Sequence, residues 1–366
     1  MRVVVIGAGI VGASAARHLA EAGSDVHMVD TGGDGQATAA GAGIVFPYQL
    51  GDRPSGWEPL VAPALDHWAQ VVDPFGAAAG VAAVGIVNVG PDGPDLRAVM
   101  TFLDALRERR GGVPLPDTEW LDTGVPARRF PPLRRDLAGI ASPGVRRVDG
   151  RTLRDHLLAL AEANGARRVT GAATLAAGAD GVVVAVDGER LPADTVVAAA
   201  GAWSARLCEP VGLALPVVPV RGQVLHVDLP DGDTSGWPMI RAGERHYLLA
   251  FPGGRVVSGA THEPDAGFEH RATAGAVRHL LADALAVAPG LADATFAEVR
   301  VGFRPVSTDG LPVLGRVSRL PNLVVATGLG ANGLTFGPSA GALAAELALG
   351  REPDVDLAAF RPDRTP

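Results

Sequence analysis

The sequence predicts an α/β protein, a doubly wound parallel-sheet domain into which a second, α+β domain built on an antiparallel sheet is inserted. Two observations predict it. Between Val3 and Asp30 the chain reads strand, glycine turn, helix, strand, the start of a parallel βαβ unit. The middle of the chain carries longer strands and two amphipathic helices instead, and buried-strand runs return near the C-terminus. With 366 residues the chain is long enough for two hydrophobic cores.

The opening unit is the most informative. Val3 to Ile6 form a β-branched run of the kind buried on both faces of a parallel sheet. Gly7, Gly9 and Gly12 follow in the spacing GxGxxG. The first allows a tight turn, the second lets backbone approach a pyrophosphate, and the third lets the helix pack close to the strand. Ile10 and Val11 open that helix, whose first amides are an anion site. Gly23 is its expected stop, and the second strand, DVHMVD, ends in Asp30 with Thr31 after it. Asp30 lies about 20 positions beyond Gly9, where a carboxylate holds a ribose hydroxyl and disfavours a 2′-phosphate. That pattern fits NAD and FAD equally.

The next segment, GDGQATAAGAGIVFPY, departs from a plain NAD domain. Its small residues, with Ala37, Thr38, Ala42, Gly43 and Ile44 among them, can lay backbone amides along phosphates and a flat ring. Composition alone also fits a flexible linker; the apolar stretch that follows argues for order. Further on, DTVVAAAGAWSARL is a buried strand ending at Gly201, and NLVVATGLGANGLTFGPSAGALAAEL is another, leading through a glycine-rich loop into a long helix. Three strand-to-glycine turns near strand carboxyl ends converge on one crevice. Asp187-Gly188 marks a hairpin. Residues 81–89, 220–228 and 245–260 read as strands of the inserted sheet, with amphipathic helices over 96–111 and 271–289.

Composition narrows the function classes. The net charge of −8 argues against nucleic acid as a partner. No apolar run is long enough for a membrane span. The single Cys208 excludes an intrachain disulfide and a cysteine-cluster metal site, and it suits a reducing, cytoplasmic setting without a signal peptide. The chain has no lysine at all, so its positive charges are arginines.

Taken in order, these motifs, together with PVRGQVLHVD at 219–228, YLLAFPGGRVVSGATHE at 247–263 and GFRPVSTDGLPVLG at 302–315, resemble the FAD-dependent D-amino-acid oxidase and glycine oxidase family, which includes sarcosine oxidases and D-amino-acid dehydrogenases. The likeness covers essentially the whole chain. It implies a Rossmann-like FAD-binding domain made of residues 1–80, 141–216 and 299–366, with a substrate domain of 81–140 and 217–298. It also extends the FAD contacts to Thr174, Trp203 and the loop Leu329, Gly330, Ala331, Asn332, Gly333, Leu334 and Thr335.

The same resemblance puts Arg304 at the position that holds a substrate carboxylate, a contact its two parallel donors suit. Read without it, Arg304 could instead pair with Asp309. Tyr247 aligns with the active-site tyrosine; as a bare sequence feature it is a half-buried strand aromatic. His262 stands where the family has an apolar lining residue, which signals either a more polar substrate or a surface histidine. Ala331 replaces a second arginine found in some glycine oxidases. Trp203 is either a flavin neighbour or core, and strand alternation leaves His246 without a role.

The implied reaction is hydride transfer from an amine-bearing carbon to the flavin, giving an imine, with noncovalent FAD because no cysteine stands where sarcosine oxidases link theirs; the lysine that assists oxygen in those enzymes is also missing. The partners implied are a small amino acid or amine and oxygen or another electron acceptor, with homo-oligomerisation left open. Alternatives are a flavin dehydrogenase of 2-hydroxy acids and a non-catalytic electron-relay subunit.

Overall fold

The computed structural model describes residues 1–46, 56–109, 117–179, 181–230, 232–243 and 246–364, with backbone alone from 102 to 109. Pro47 and Tyr48 of the apolar segment, the last two residues of the helix expected over 96–111, and Arg245 lie outside the described residues.

The βαβ start organises a six-stranded sheet. Its order is Val313–Val317, Leu320–Thr327, Thr195–Ala198, Arg2–Ile6, Asp25–Asp30 and Arg167–Thr170. All neighbours run parallel except the outer pair, Val313–Val317 with Leu320–Thr327. The strand Arg2–Ile6 sits in its middle and is buried on both sides, which is why it reads as unbroken valine and isoleucine. Val3 and Val5 face a core formed by the helices Ile10–Glu21, Gly150–Ala163 and Gly333–Ala348. Val4 and Ile6 face the small sheet Ala173–Gly178, Gly181–Val186 and Glu189–Leu191. That small sheet contains the expected hairpin, with Asp187 at φ 50° and Gly188 at φ 89°, the geometry of a type I′ turn.

Glycines set the closeness of the layers. A β-carbon on Gly12 would stand 1.8 Å from the Gly7 carbonyl oxygen, so only glycine lets the first helix lie on its strand. One on Gly341 would stand 2.4 Å from the Val11 carbonyl oxygen, which is how the C-terminal helix comes flush against the first. The Ser14 hydroxyl, wholly buried, donates to the Pro338 carbonyl at 2.6 Å across that contact.

The second large sheet has eight strands, in the order Thr295–Ser307, Val217–Asp228, Arg255–Gly259, His246–Ala250, Met239–Ala242, Ile86–Gly90, Ala138–Ser142 and Glu119–Leu121. It is antiparallel apart from one parallel pair, Met239–Ala242 with Ile86–Gly90. One face packs Leu225, Ile240, Leu248 and Ala250 with Leu280 and Ala284 of the helix Ala274–Val287. The other carries Val224, Met239, Leu249 and Val257 and meets Ile44 and Phe46.

The strand expected over 81–89 is two. Gly85, at φ 70°, turns the chain between Val81–Ala83 and Ile86–Gly90. The first joins a small sheet with Ile44–Val45 and Arg146–Val148; the second joins the eight-stranded sheet. The boundaries expected at 141 and 299 fall inside Ala138–Ser142 and Thr295–Ser307. Arg304 therefore stands on the eight-stranded sheet, paired with Val220, and not on the βαβ side. The 13-residue strand Thr295–Ser307 stays in the eight-stranded sheet to its end, and the chain returns to the six-stranded sheet only at Val313.

Candidate active site

Between the two sheets lies a cavity of about 1050 Å³. Its floor is built by the three glycine turns. Gly7, Gly9, Ile10 and Val11 enter from the first strand, Gly201 and Trp203 from Thr195–Ala198, and Leu329, Gly330, Ala331, Gly333, Leu334 and Thr335 from Leu320–Thr327. Ala37, Thr38, Ala42, Gly43 and Ile44 line it along the segment after Asp30, and Thr31 lines it beside that residue. The facing wall, from the eight-stranded sheet, carries Arg304, Tyr247 and His262.

Three expected positions stand off the cavity. Gly12 is packed against Gly7 and serves helix placement alone. Thr174 is exposed on the small sheet, its hydroxyl 3.5 Å from the Ala185 carbonyl, because the strand leaves the cavity after Gly171, Ala172 and Ala173, which do line it. Asn332 closes a turn, its amide donating to the Leu329 carbonyl at 2.9 Å, while its neighbours Ala331 and Gly333 face inward.

The βαβ end is built for a dinucleotide. Asp30 accepts from the Ala8 amide at 2.6 Å, the Gly32 amide at 2.7 Å and the Gln36 side chain at 3.1 Å. A carboxylate offers about four acceptor directions, so one remains for a ribose hydroxyl. The Ile10 amide donates to the buried Thr38 hydroxyl at 3.0 Å, tying the second loop to the helix start. Gly9 lines the cavity with no side chain of its own. A glycine turn at a helix start, an acid at the end of the second strand and a long trough are the features an adenine dinucleotide with a flat ring requires. These residues fit FAD. Cys208 is fully buried in the core behind the six-stranded sheet, off the cavity, and burial pushes its thiol up to about 12. Cys208, the one cysteine of the chain, does not line the cavity.

At the other end, Arg304 is not paired with Asp309. Asp309 is taken by Arg364, at 2.8 and 3.0 Å, and by the Ser307 hydroxyl at 2.7 Å. Arg304 instead donates to the Thr261 carbonyl at 3.0 Å. Burial lowers its pKa, against the pull of Tyr247 and Glu263; a guanidinium stays cationic regardless. The Thr261 carbonyl is held from behind. Thr261 and Glu263 exchange backbone hydrogen bonds with Gln223 and Arg221, and the Glu263 carboxylate accepts from Arg221 at 2.6 Å, Gln223 at 2.8 Å and Thr261 at 2.6 Å. Glu263 is thus spoken for, and the cavity side of Arg304 keeps donors for a ligand.

Tyr247 lies directly across from Arg241 in the sheet, and both line the cavity. Burial pushes the phenol up to about 12, with Arg304 drawing it the other way, so it is a neutral hydroxyl donor near pH 7. Trp203 is half-buried and belongs to no core cluster. It lines the cavity and stacks on Phe268 with centroids 5.2 Å apart. His246 also reaches the cavity rim, and burial lowers its pKa.

Sequence reading passed over Arg241, Gln36 and Thr261. Arg241 belongs to a strand of four residues with no motif around it. Gln36 and Thr261 act through a side-chain amide and a backbone carbonyl, for which residue type gives no signal.

A dinucleotide trough sealed by a wall that presents a guanidinium and a phenol defines a flavin-dependent oxidoreductase. The profile described as "FAD dependent oxidoreductase", DAO, matches residues 2–347, and the chain belongs to this family. It is 37% identical over 366 residues to the uncharacterized oxidoreductase YurR of Bacillus subtilis, spanning 98% of both chains. It is 32% identical to the glycine oxidase of Pseudomonas aeruginosa, over 99% of this chain and 98% of that one. Among solved structures, iminodiacetate oxidase from Chelativorans superposes with a TM-score of 0.91 at 39% identity, covering 99% of each chain. The protein is an FAD-dependent oxidoreductase with a Rossmann-like cofactor domain. No helix among the described residues is long and apolar enough to cross a membrane.

Proposed function

We propose that this enzyme oxidises the C–N bond of a small amino acid or amine that bears a carboxylate. The observation that carries the reading is Arg304, a half-buried guanidinium on the cavity wall whose neighbouring acids, Asp309 and Glu263, are engaged by other arginines. A cation kept in an apolar cavity with its acids diverted is suited to an anionic ligand.

Arg304 binds the carboxylate, and Tyr247 donates a hydrogen bond beside it, so the carbon next to the carboxylate is oriented toward the trough. Bound FAD supplies the hydride acceptor. Such a transfer requires no protein acid or base; the wall orients the substrate and excludes water. Arg241 lines the same cavity. Oxygen or another acceptor then receives the electrons.

Product analysis tests this. Incubation with glycine, sarcosine, iminodiacetate and D-alanine is expected to yield the oxo acid together with ammonia or a primary amine from at least one of them. Turnover of 2-hydroxy acids with none of the amines would overturn the reading.

A further inference from the structure

Two glycines of the eight-stranded sheet each lie under a side chain of the cavity wall. Gly222 lies inside a strand and Gly259 ends one, ahead of a cis peptide to Ala260, and neither has a left-handed φ. Glycine weakens a strand and packs nothing, so alanine would suit the backbone at Gly222. What alanine would not suit is the side chain above each.

A β-carbon on Gly222 would stand 2.4 Å from Nη1, 2.6 Å from Cζ and 2.6 Å from Nη2 of Arg304. Three guanidinium atoms at nearly one distance mean that the planar group lies flat on the bare Cα. A β-carbon on Gly259 would stand 2.3 Å from the Tyr247 hydroxyl oxygen and 2.7 Å from its Cζ, so the phenol points end-on into the space that glycine leaves. Register connects the two seats. Gly222 pairs with Gly302, two residues before Arg304 on the adjoining strand, and Gly259 pairs with Tyr247 itself.

We infer that Gly222 and Gly259 are positioning residues, the seats that fix the Arg304 guanidinium and the Tyr247 hydroxyl at the depth where a substrate carboxylate meets them. This rests on the reading of Arg304 as the carboxylate anchor. A methyl at Gly222 lifts the guanidinium off the sheet and away from the Thr261 carbonyl, 3.0 Å from Nη1. Because the collision is with the end of a flexible side chain, the fold accommodates it while the anchor moves.

The test is a double-mutant cycle on the holoenzyme, with acetate binding read from the flavin visible spectrum and steady-state kinetics on the best carboxylate substrate. Gly222→Ala is expected to weaken acetate binding and raise KM at least tenfold, with FAD content and thermal midpoint close to wild type. In an Arg304→Ala background, Gly222→Ala should change both by less than twofold, since the group it displaces is gone. Gly259→Ala should lose at least as much kcat/KM as Tyr247→Phe.

Wild-type acetate binding in Gly222→Ala overturns the inference, as does an undiminished effect in the Arg304→Ala background. Loss of FAD in Gly222→Ala overturns it too, by making the position structural. If Arg304→Ala alone binds acetate normally, the anchor reading itself fails, a result distinguishable from the others.

Discussion

Arg304 shows how a residue's role is set by what its neighbours do elsewhere. Asp309, the acid nearest in sequence, is claimed by Arg364 near the C-terminus, and Glu263 by Arg221. Removing the guanidinium would leave a bound carboxylate buried and unpaired, a cost of roughly 3–5 kcal/mol. Arg304→Ala should therefore lower kcat/KM on a carboxylate substrate by about two to three orders of magnitude, measured in steady state, with FAD retained. Arg304→Lys should restore little, because an ammonium is a point donor and not a fork. At the opposite end, Asp30 serves three internal donors as well as the expected ribose contact. Asp30→Ala should weaken FAD by about 1.5–3 kcal/mol, the scale of a charged hydrogen bond. Titration of the apoprotein checks it, and an unchanged affinity would remove Asp30 from the cofactor site.

Among the elements, one close contact is helix on helix. The C-terminal helix Gly333–Ala348 meets Ile10–Glu21 where Gly341 lies on the Val11 carbonyl. Gly341→Ala forces backbone apart and should cost about 1–3 kcal/mol by overpacking, seen as a lower thermal midpoint and, since Ile10 and Val11 line the cavity, as weaker FAD retention. A variant as stable as wild type would contradict the packing account. This end of the molecule was the most legible in sequence, because GxGxxG, the strand before it and Asp30 obey local rules that little else imitates. The eight-stranded sheet was legible only in pieces. Its strands are joined by pairings distant in sequence, such as Val220 with Arg304, and periodicity cannot report which strands meet. The break at Gly85 and the departure of Thr174 from the cavity were hidden for the same reason. Each depends on where a strand is led by partners far along the chain. Arg304 and Tyr247 were found through resemblance, whereas their glycine seats become meaningful only when the side chains above them are seen.

Across the whole molecule, stability should depend on pH through histidines buried without charge. Burial lowers His18 and His226 to about 4 and His67 to about 3. Unfolding returns each to about 6.5. Between those values the unfolded chain binds more protons, so stability is lost as pH falls from about 6.5 toward 4 and then 3, by up to about 1.4 kcal/mol per pH unit for each histidine. His67→Phe should flatten that slope in thermal scans between pH 7 and 4.5; an unaltered slope would place the titration elsewhere. The central claim concerns the wall and the trough acting together, a half-buried arginine holding a carboxylate so that a C–N bond is presented to the flavin. The most direct measurement is anaerobic mixing of the yellow enzyme with a carboxylate-bearing amine and with the same amine lacking its carboxylate, for wild type and Arg304→Ala, following flavin absorbance. The account predicts saturable bleaching of the wild type by the carboxylate-bearing amine, little by its decarboxylated counterpart, and loss of that preference in Arg304→Ala while its flavin remains bound. Equal bleaching by both amines in the wild type, or a preference that survives in Arg304→Ala, would contradict it.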